Sequence, residues 1–197
     1  MADEIQTGRA SGMVAAWPAG VVLGLLILLP AWVLILSGDV NGRGAYDQLN
    51  YHEPAIVRFA QQWPRVEVGN YLSATTPGYH VALATVAQVI GTDRMGLQLV
   101  GSLFSGALLG LLGCALARRV GVRRAIALGL PLVGSMYVFF PAVWLLPDNA
   151  GWLGVVAVLL LALSGRVDAR FYLLTGATML LLVLTRQIHV WAAGVAI

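Results

Sequence analysis

The chain has 197 residues, of which 59% are hydrophobic and only 11% charged, and its mean hydropathy is +0.82. Soluble domains carry roughly 25% charged residues, so this composition excludes an ordinary soluble domain and points to an integral membrane protein. The net charge of +3 comes from arginine without any lysine, and no basic stripe interleaved with aromatics suggests nucleic acid as a partner.

Arginine at every basic position, with abundant Ala, Gly, Val and Leu, is the mark of a GC-rich, prokaryotic genome. The single cysteine, Cys114, lies inside an apolar run. It allows no intrachain disulfide and reads as a small packing residue. Residues 1–15 carry Asp3, Glu4 and Arg9 in place of the basic start of a cleavable signal, and the apolar run that follows is too long for one.

Five apolar runs predict spanning helices: Ala16–Leu36, Met95–Ala117, Ala125–Leu146, Gly151–Leu163 and Phe171–Thr185. A perpendicular span needs roughly 20 residues. The first three reach that length, and the last two need ragged ends or local thinning of the bilayer. A sixth run, Pro77–Ile90, is shorter and contains His80 and Gln88. Charge decides how it is read. Arg118, Arg119, Arg123 and Arg124, and beyond them Arg166 and Arg170, belong in the cytoplasm by the positive-inside rule. A cytoplasmic N-terminus satisfies that rule if residues 77–90 form a juxtamembrane or re-entrant helix. A full crossing by 77–90 would put the four-arginine cluster outside.

Residues 37–76 then form a loop on the outer face, too long for a mere connector. Pro54 can open a helix within it. Ile56, Phe59, Ala60 and Trp63 follow at helical spacing, which suits a short helix in the membrane interface, and Pro64 ends it. Six tryptophans, Trp17, Trp32, Trp63, Trp144, Trp152 and Trp191, fall near predicted span ends and read as interfacial anchors. After Gln187 the chain turns apolar again through Val190 and Trp191 to Ile197. That pattern reads as the opening of a further span and predicts a longer protein.

Polar residues gather at the ends of these runs, on one side of the preferred topology. Asp47 could take a proton from a hydroxyl as a general base, or be a solvated loop carboxylate. His52 could bind phosphate, relay a proton or ligate a metal, or make a surface hydrogen bond. Glu53 suits a helix start through the dipole alone, and the spacing of Asp47, His52 and Glu53 matches no familiar metal signature. Thr76 ahead of Pro77 reads as a helix cap whose free N–H groups attract anions, lipid-linked phosphate included. Asp148, between Pro147 and Asn149, fits a helix–helix turn as well as a site. Arg186 falls outside against the positive-inside bias, which favours pairing with a phosphate over snorkelling.

The order Tyr46-Asp47-Gln48-x-x-Tyr51-His52-x-Pro54, then Thr75-Thr76-Pro77-Gly78, then Asp148, then Arg186-Gln187-x-x-x-Trp191 resembles the dolichyl-phosphate-glucose α-1,2-glucosyltransferases, which belong to the GT-C class of polytopic glycosyltransferases. That family shows Asp-Glu and then Phe-His-x-Pro after the first span, Thr-Thr-Pro-Pro-Gly, an Asp after a later span, and Arg-Gln-Thr-Asn followed by Trp. Here Gln48 stands in place of the Glu, one extra residue separates Asp47 from His52, a single Pro replaces the pair, and His189 replaces the Asn.

The resemblance implies an all-α, polytopic transmembrane bundle, GT-C-like, with residues 1–197 as one transmembrane domain. It implies sugar transfer from a polyprenyl-phosphate-linked donor to a glycan or lipid-linked acceptor; no cofactor and no metal-ligand set is read from the residues. Asp47 and Asp148 would be catalytic. Arg186, His52, Gln187, Thr76 and His80 would lie at the donor phosphate. The expected setting is a multi-pass protein of a prokaryotic plasma membrane, its site on the outer face. A GT-C enzyme with another donor sugar is one rival, an inactive fragment another. The third is a transporter or assembly subunit. A transporter would carry broken helices or polar groups at mid-membrane, and polar groups at span ends count against it.

Overall fold

A computed structural model describes residues 16–38, 43–71, 73–165 and 167–195. Asp3, Glu4, Arg9, Arg166 and Ile197 of the sequence reading lie outside them. The described residues are helical, without a strand. In chain order they form α1 (Trp17–Ser37), α2 (Arg43–Asp47), a π-turn (Gln48–His52), α3 (Glu53–Gln62), α4 (Gly78–Ile90), α5 (Arg94–Val120), α6 (Val122–Val133), α7 (Met136–Val143), α8 (Asp148–Ala162), α9 (Ala169–Thr185) and a 3₁₀ stretch (Gln187–Val195).

Two helices, α1 and α5, are long and apolar enough to cross a membrane, and the bent pair α6–α7 makes a third candidate. The long helices form the centre of the bundle because glycine lets their backbones touch. A Cβ on Gly20 would come within 2.5 Å of the Gly110 carbonyl oxygen, and one on Gly113 within 2.9 Å of that of Ala19. Cys114 packs into the same seam against Gly20. Small-residue seams of this kind are how helices associate where no hydrophobic effect drives them together.

The pair is antiparallel. Ala16 and Ala19 pack with Ala117 and Ala125 at one end, where the exposed Arg118, Arg119, Arg123 and Arg124 also lie. Toward the other end the indole N–H of Trp32 donates to Ser102 Oγ at 2.8 Å, so Trp32 ties two helices together rather than acting only as an anchor. Trp17, Trp63, Trp152 and Trp191 are exposed.

This pairing constrains α4. The chain leaves α1 and enters α5 at the same end of the bundle. The 13 residues of α4 reach about 20 Å, short of a full crossing. Its first turn is set inward, where Gly78 lies so close to Leu184 of α9 that a Cβ would collide with the Leu184 carbonyl. Its last residue packs near Gly96, in the first turn of α5.

The run Ala125–Leu146, expected as one span, is two helices bent by 75°. Pro131 and Pro141 each remove a backbone donor inside these helices. Gly134 and the extended Ser135 make the corner. Asp93 caps α5 by accepting from Gly96 N at 3.0 Å, and Asp168 caps α9 from Phe171 N at 2.7 Å. The short α3 begins with Pro54 in its first turn, as its sequence predicts. It buries Ile56 with Tyr79, Leu83 and Ala87 of α4.

Candidate functional site

The π-turn Gln48–His52 organises the site. A π-turn spends one more residue per turn than an α-helix and is favoured where a side chain must be re-aimed. Here it turns Gln48 inward to full burial. The Gln48 amide nitrogen donates to Glu53 Oε2 at 3.2 Å. Its oxygen accepts from Gln98 Nε2 and from the backbone N–H of Leu145, each at 3.0 Å. Arg94 closes the network by donating from Nε to both Glu53 oxygens at 2.8 and 2.9 Å. Glu53 is therefore held by Arg94 and Gln48, and the turn is pinned to α5 and to the segment between α7 and α8.

The other face of the turn carries His52, whose Nδ1 lies 2.8 Å from Nε2 of His80. Nδ1 of His80 lies 2.7 Å from the Tyr71 hydroxyl. That hydroxyl is 3.3 Å from Thr75 Oγ1, itself 3.0 Å from Ser73 Oγ. The two imidazoles stack with centroids 5.1 Å apart. His80 is fully buried, and His52 is 7% exposed. Every group in this chain can donate in one sense or in the reverse one. The cleft then meets either an N–H or a lone pair on His52.

At the start of α8, Asp148 forms an ion pair with Arg186, which follows α9 directly. Asp47, Tyr51, His52, Ser73, Thr75, Asp148 and Arg186 together line an open cleft of about 480 Å³. Burial pushes the His52 imidazole below its ordinary range, the Asp47 and Asp148 carboxylates pull it back, and the Arg186 guanidinium lowers it further. Among the described residues no three His, Cys, Asp or Glu side chains gather closely enough to hold a metal ion.

Four of the seven site residues expected from the sequence, Asp47, His52, Asp148 and Arg186, thus share one cleft. The other three stand behind it. His80 does not line the cleft and reaches it through His52 on one side and through Tyr71 and Thr75 on the other. Thr76 does not cap α4: Pro77 takes that position, with no side-chain cap. The Thr76 hydroxyl instead donates to the Val183 carbonyl at 2.7 Å. Gln187 accepts from Thr76 N and donates to the Ala74 carbonyl, both at 2.9 Å. Thr76 and Gln187 are a latch that fastens the loop ahead of α4 to the end of α9. Gln48 as the buried hub, and Tyr71, Ser73 and Thr75 as the relay's far end, were not singled out by sequence. A lone Tyr or Ser in an irregular segment leaves no periodic signal.

The cleft is exposed at Asp47 and Tyr51 and backed by buried polar groups. Asn149, next to Asp148, donates to Ser105 Oγ at 2.6 Å. Ser105 lies eleven residues beyond Arg94, about 16 Å along α5. An apolar groove of about 640 Å³ runs between α4, α8 and α9. Pro77, Gly78 and Thr185 line it, adjacent in the chain to the latch and to Arg186.

The molecule is thus an all-helical protein with two to three candidate membrane-spanning helices and a cleft of mixed charge. Comparison with family models, with curated proteins and with solved structures finds no match.

Proposed function

We propose that this protein is a polytopic membrane glycosyltransferase of GT-C-like organisation, using a polyprenyl-phosphate-linked sugar as donor. One observation carries the reading: a cleft holding two carboxylates, an imidazole and a guanidinium is lined by Thr75 and Arg186, and an apolar groove by their near neighbours in the chain Pro77 and Thr185. That is the shape of a ligand with a charged head and a hydrocarbon tail. The order of motifs that resembles the glucosyltransferase family supports it, since Asp47, His52, Asp148 and Arg186 line one cleft. The one-residue difference in spacing between Asp47 and His52 coincides with the π-turn, which can absorb an extra residue without reversing either neighbour.

In the membrane, the arginine-rich end faces the cytoplasm by the positive-inside rule. α1, α5, the bent α6–α7 pair, α8 and α9 then cross in turn, and the cleft opens outward. The tail lies in the groove and the phosphate beside Arg186. Asp47 takes the proton of the acceptor hydroxyl, whose oxygen attacks the anomeric carbon with inversion. The bond from that carbon to the phosphate oxygen breaks, and its electron pair leaves with the phosphate. Arg186 and the N–H of His52 meet the growing charge. Asp148 holds Arg186 in place until the phosphate competes for it.

The test is transfer of labelled sugar from a polyprenyl-phosphate donor by the protein in proteoliposomes. Transfer by the wild type and its loss in Asp47→Asn is the expected result. Equal rates for the two would overturn the base assignment, and donor binding without any transfer would overturn the enzyme.

A second reading, translocation of an anionic lipid, is favoured by the 75° bend between α6 and α7. Against it, Asp148 opens α8 and Arg186 directly follows α9, so the charged groups of the cleft stand at helix ends. Movement of unaltered labelled donor across the same vesicles would decide for it.

A further inference from the structure

A second groove lies at the arginine-rich end, far from the cleft. It runs between α5 and α8, has a volume of about 680 Å³, and is walled by Leu112, Leu116, Val156, Leu159 and Leu160. Arg118 and Arg119, the last turn of α5, stand at its mouth, and both are exposed. Arg123 and Arg124 follow on the first turn of α6, and Arg170 lies on that of α9. The described acid at this end, Asp168, is occupied in capping α9 through Phe171 N at 2.7 Å. No ion pair among the described residues involves these arginines.

Topology alone accounts for arginines at this end, but it requires no groove beneath them. We propose that the α5–α8 groove binds one anionic phospholipid, its acyl chains along the leucine walls and its phosphate across Arg118 and Arg119. Guanidinium groups bind phosphate oxygens in pairs with directed N–H donors. A zwitterionic lipid would bring its own cation against the same arginines. An acidic protein would satisfy the charges but leave the apolar walls exposed to lipid. Basic pockets between helices on the cytoplasmic side are a recurrent setting for anionic headgroups. The site is independent of the sugar-transfer reading and survives its failure.

The test is native mass spectrometry of the full chain released from mixed micelles holding equal phosphatidylglycerol and phosphatidylcholine. The wild type is expected to retain one lipid, with phosphatidylglycerol favoured on the order of tenfold. Arg118→Gln with Arg119→Gln should abolish the preference. Arg123→Gln with Arg124→Gln, away from the groove, should keep most of it. Ala115→Trp, which fills the groove from α5, should reduce retention of both lipids with every arginine present. Equal loss in the two arginine pairs would mean diffuse attraction and overturn the site. So would undiminished retention in Ala115→Trp, or a wild type that carries no lipid because a second copy of the chain fills the groove.

Discussion

Nδ1 of His52 and Nε2 of His80 face each other at 2.8 Å, inside the protein, with one ring at the cleft and the other wholly buried. The contact joins the π-turn to the first turn of α4 and requires one ring to present an N–H and the other a lone pair. A proton on both nitrogens would place two donors face to face.

That requirement sets a pH dependence. Burial holds His52 below its ordinary range, so the folded protein resists taking the proton that the unfolded chain accepts near pH 6.5. Stability is therefore full above that pH and falls as pH drops below it, until the folded His52 titrates. The melting temperature in detergent should fall between about pH 7 and pH 5. His52→Gln, which cannot take the proton, should lessen that fall without removing it, because burial also holds the partner imidazole of His80 well below its ordinary range. An equally steep fall in the variant would assign the pH dependence elsewhere.

The Asp148–Arg186 pair predicts substitutions of opposite sign. Both side chains are about a third exposed, at 37% and 26%, so breaking the pair should cost only about 0–1 kcal/mol of stability. Binding should respond more. Asp148→Asn frees Arg186 and removes a negative charge, and should tighten binding of inorganic phosphate roughly tenfold. Arg186→Gln should weaken it by as much or more. Titration calorimetry of both variants checks this, and a change in the same direction for both would refute the shared role.

Gln48 makes three hydrogen bonds at zero exposure. Gln48→Leu would leave Gln98 and the Leu145 N–H without their acceptor, at roughly 1–3 kcal/mol for each buried group so stranded. A denaturation series in mixed micelles should show a loss of several kcal/mol, well above that of an exposed substitution such as Gln61→Leu.

The central seam offers a steric test. A Cβ on Gly20 would come within 2.5 Å of both the Gly110 carbonyl oxygen and Cys114 Sγ. Gly20→Val should destabilise the protein by about 1–3 kcal/mol or more, because backbone cannot give way as a flexible side chain can. Cys114→Ala should recover only a part of the loss, since the carbonyl stays where it is. Full recovery would place the clash on the thiol alone.

Much of this protein was legible from residue order alone. Long apolar runs must become helices in lipid, since no water is there to satisfy the backbone, and the start at Pro54 and the stop at Pro64 follow from proline chemistry. Gathering of Asp47, His52, Asp148 and Arg186 was foreseeable because each stands at a predicted helix end. Contact decided the rest. Thr76 stands ahead of Pro77 as a cap would, yet its hydroxyl donates to the Val183 carbonyl of α9, and Pro77 takes the cap position. The run Ala125–Leu146 is uniformly apolar, and hydropathy cannot register the corner at Gly134 and Ser135. Nothing in residue order marks Gln48 as a buried hub or Tyr71 as the partner of His80; packing brings partners from α4, α5 and the α7–α8 linker within hydrogen-bond reach, and that proximity is a property of the folded chain.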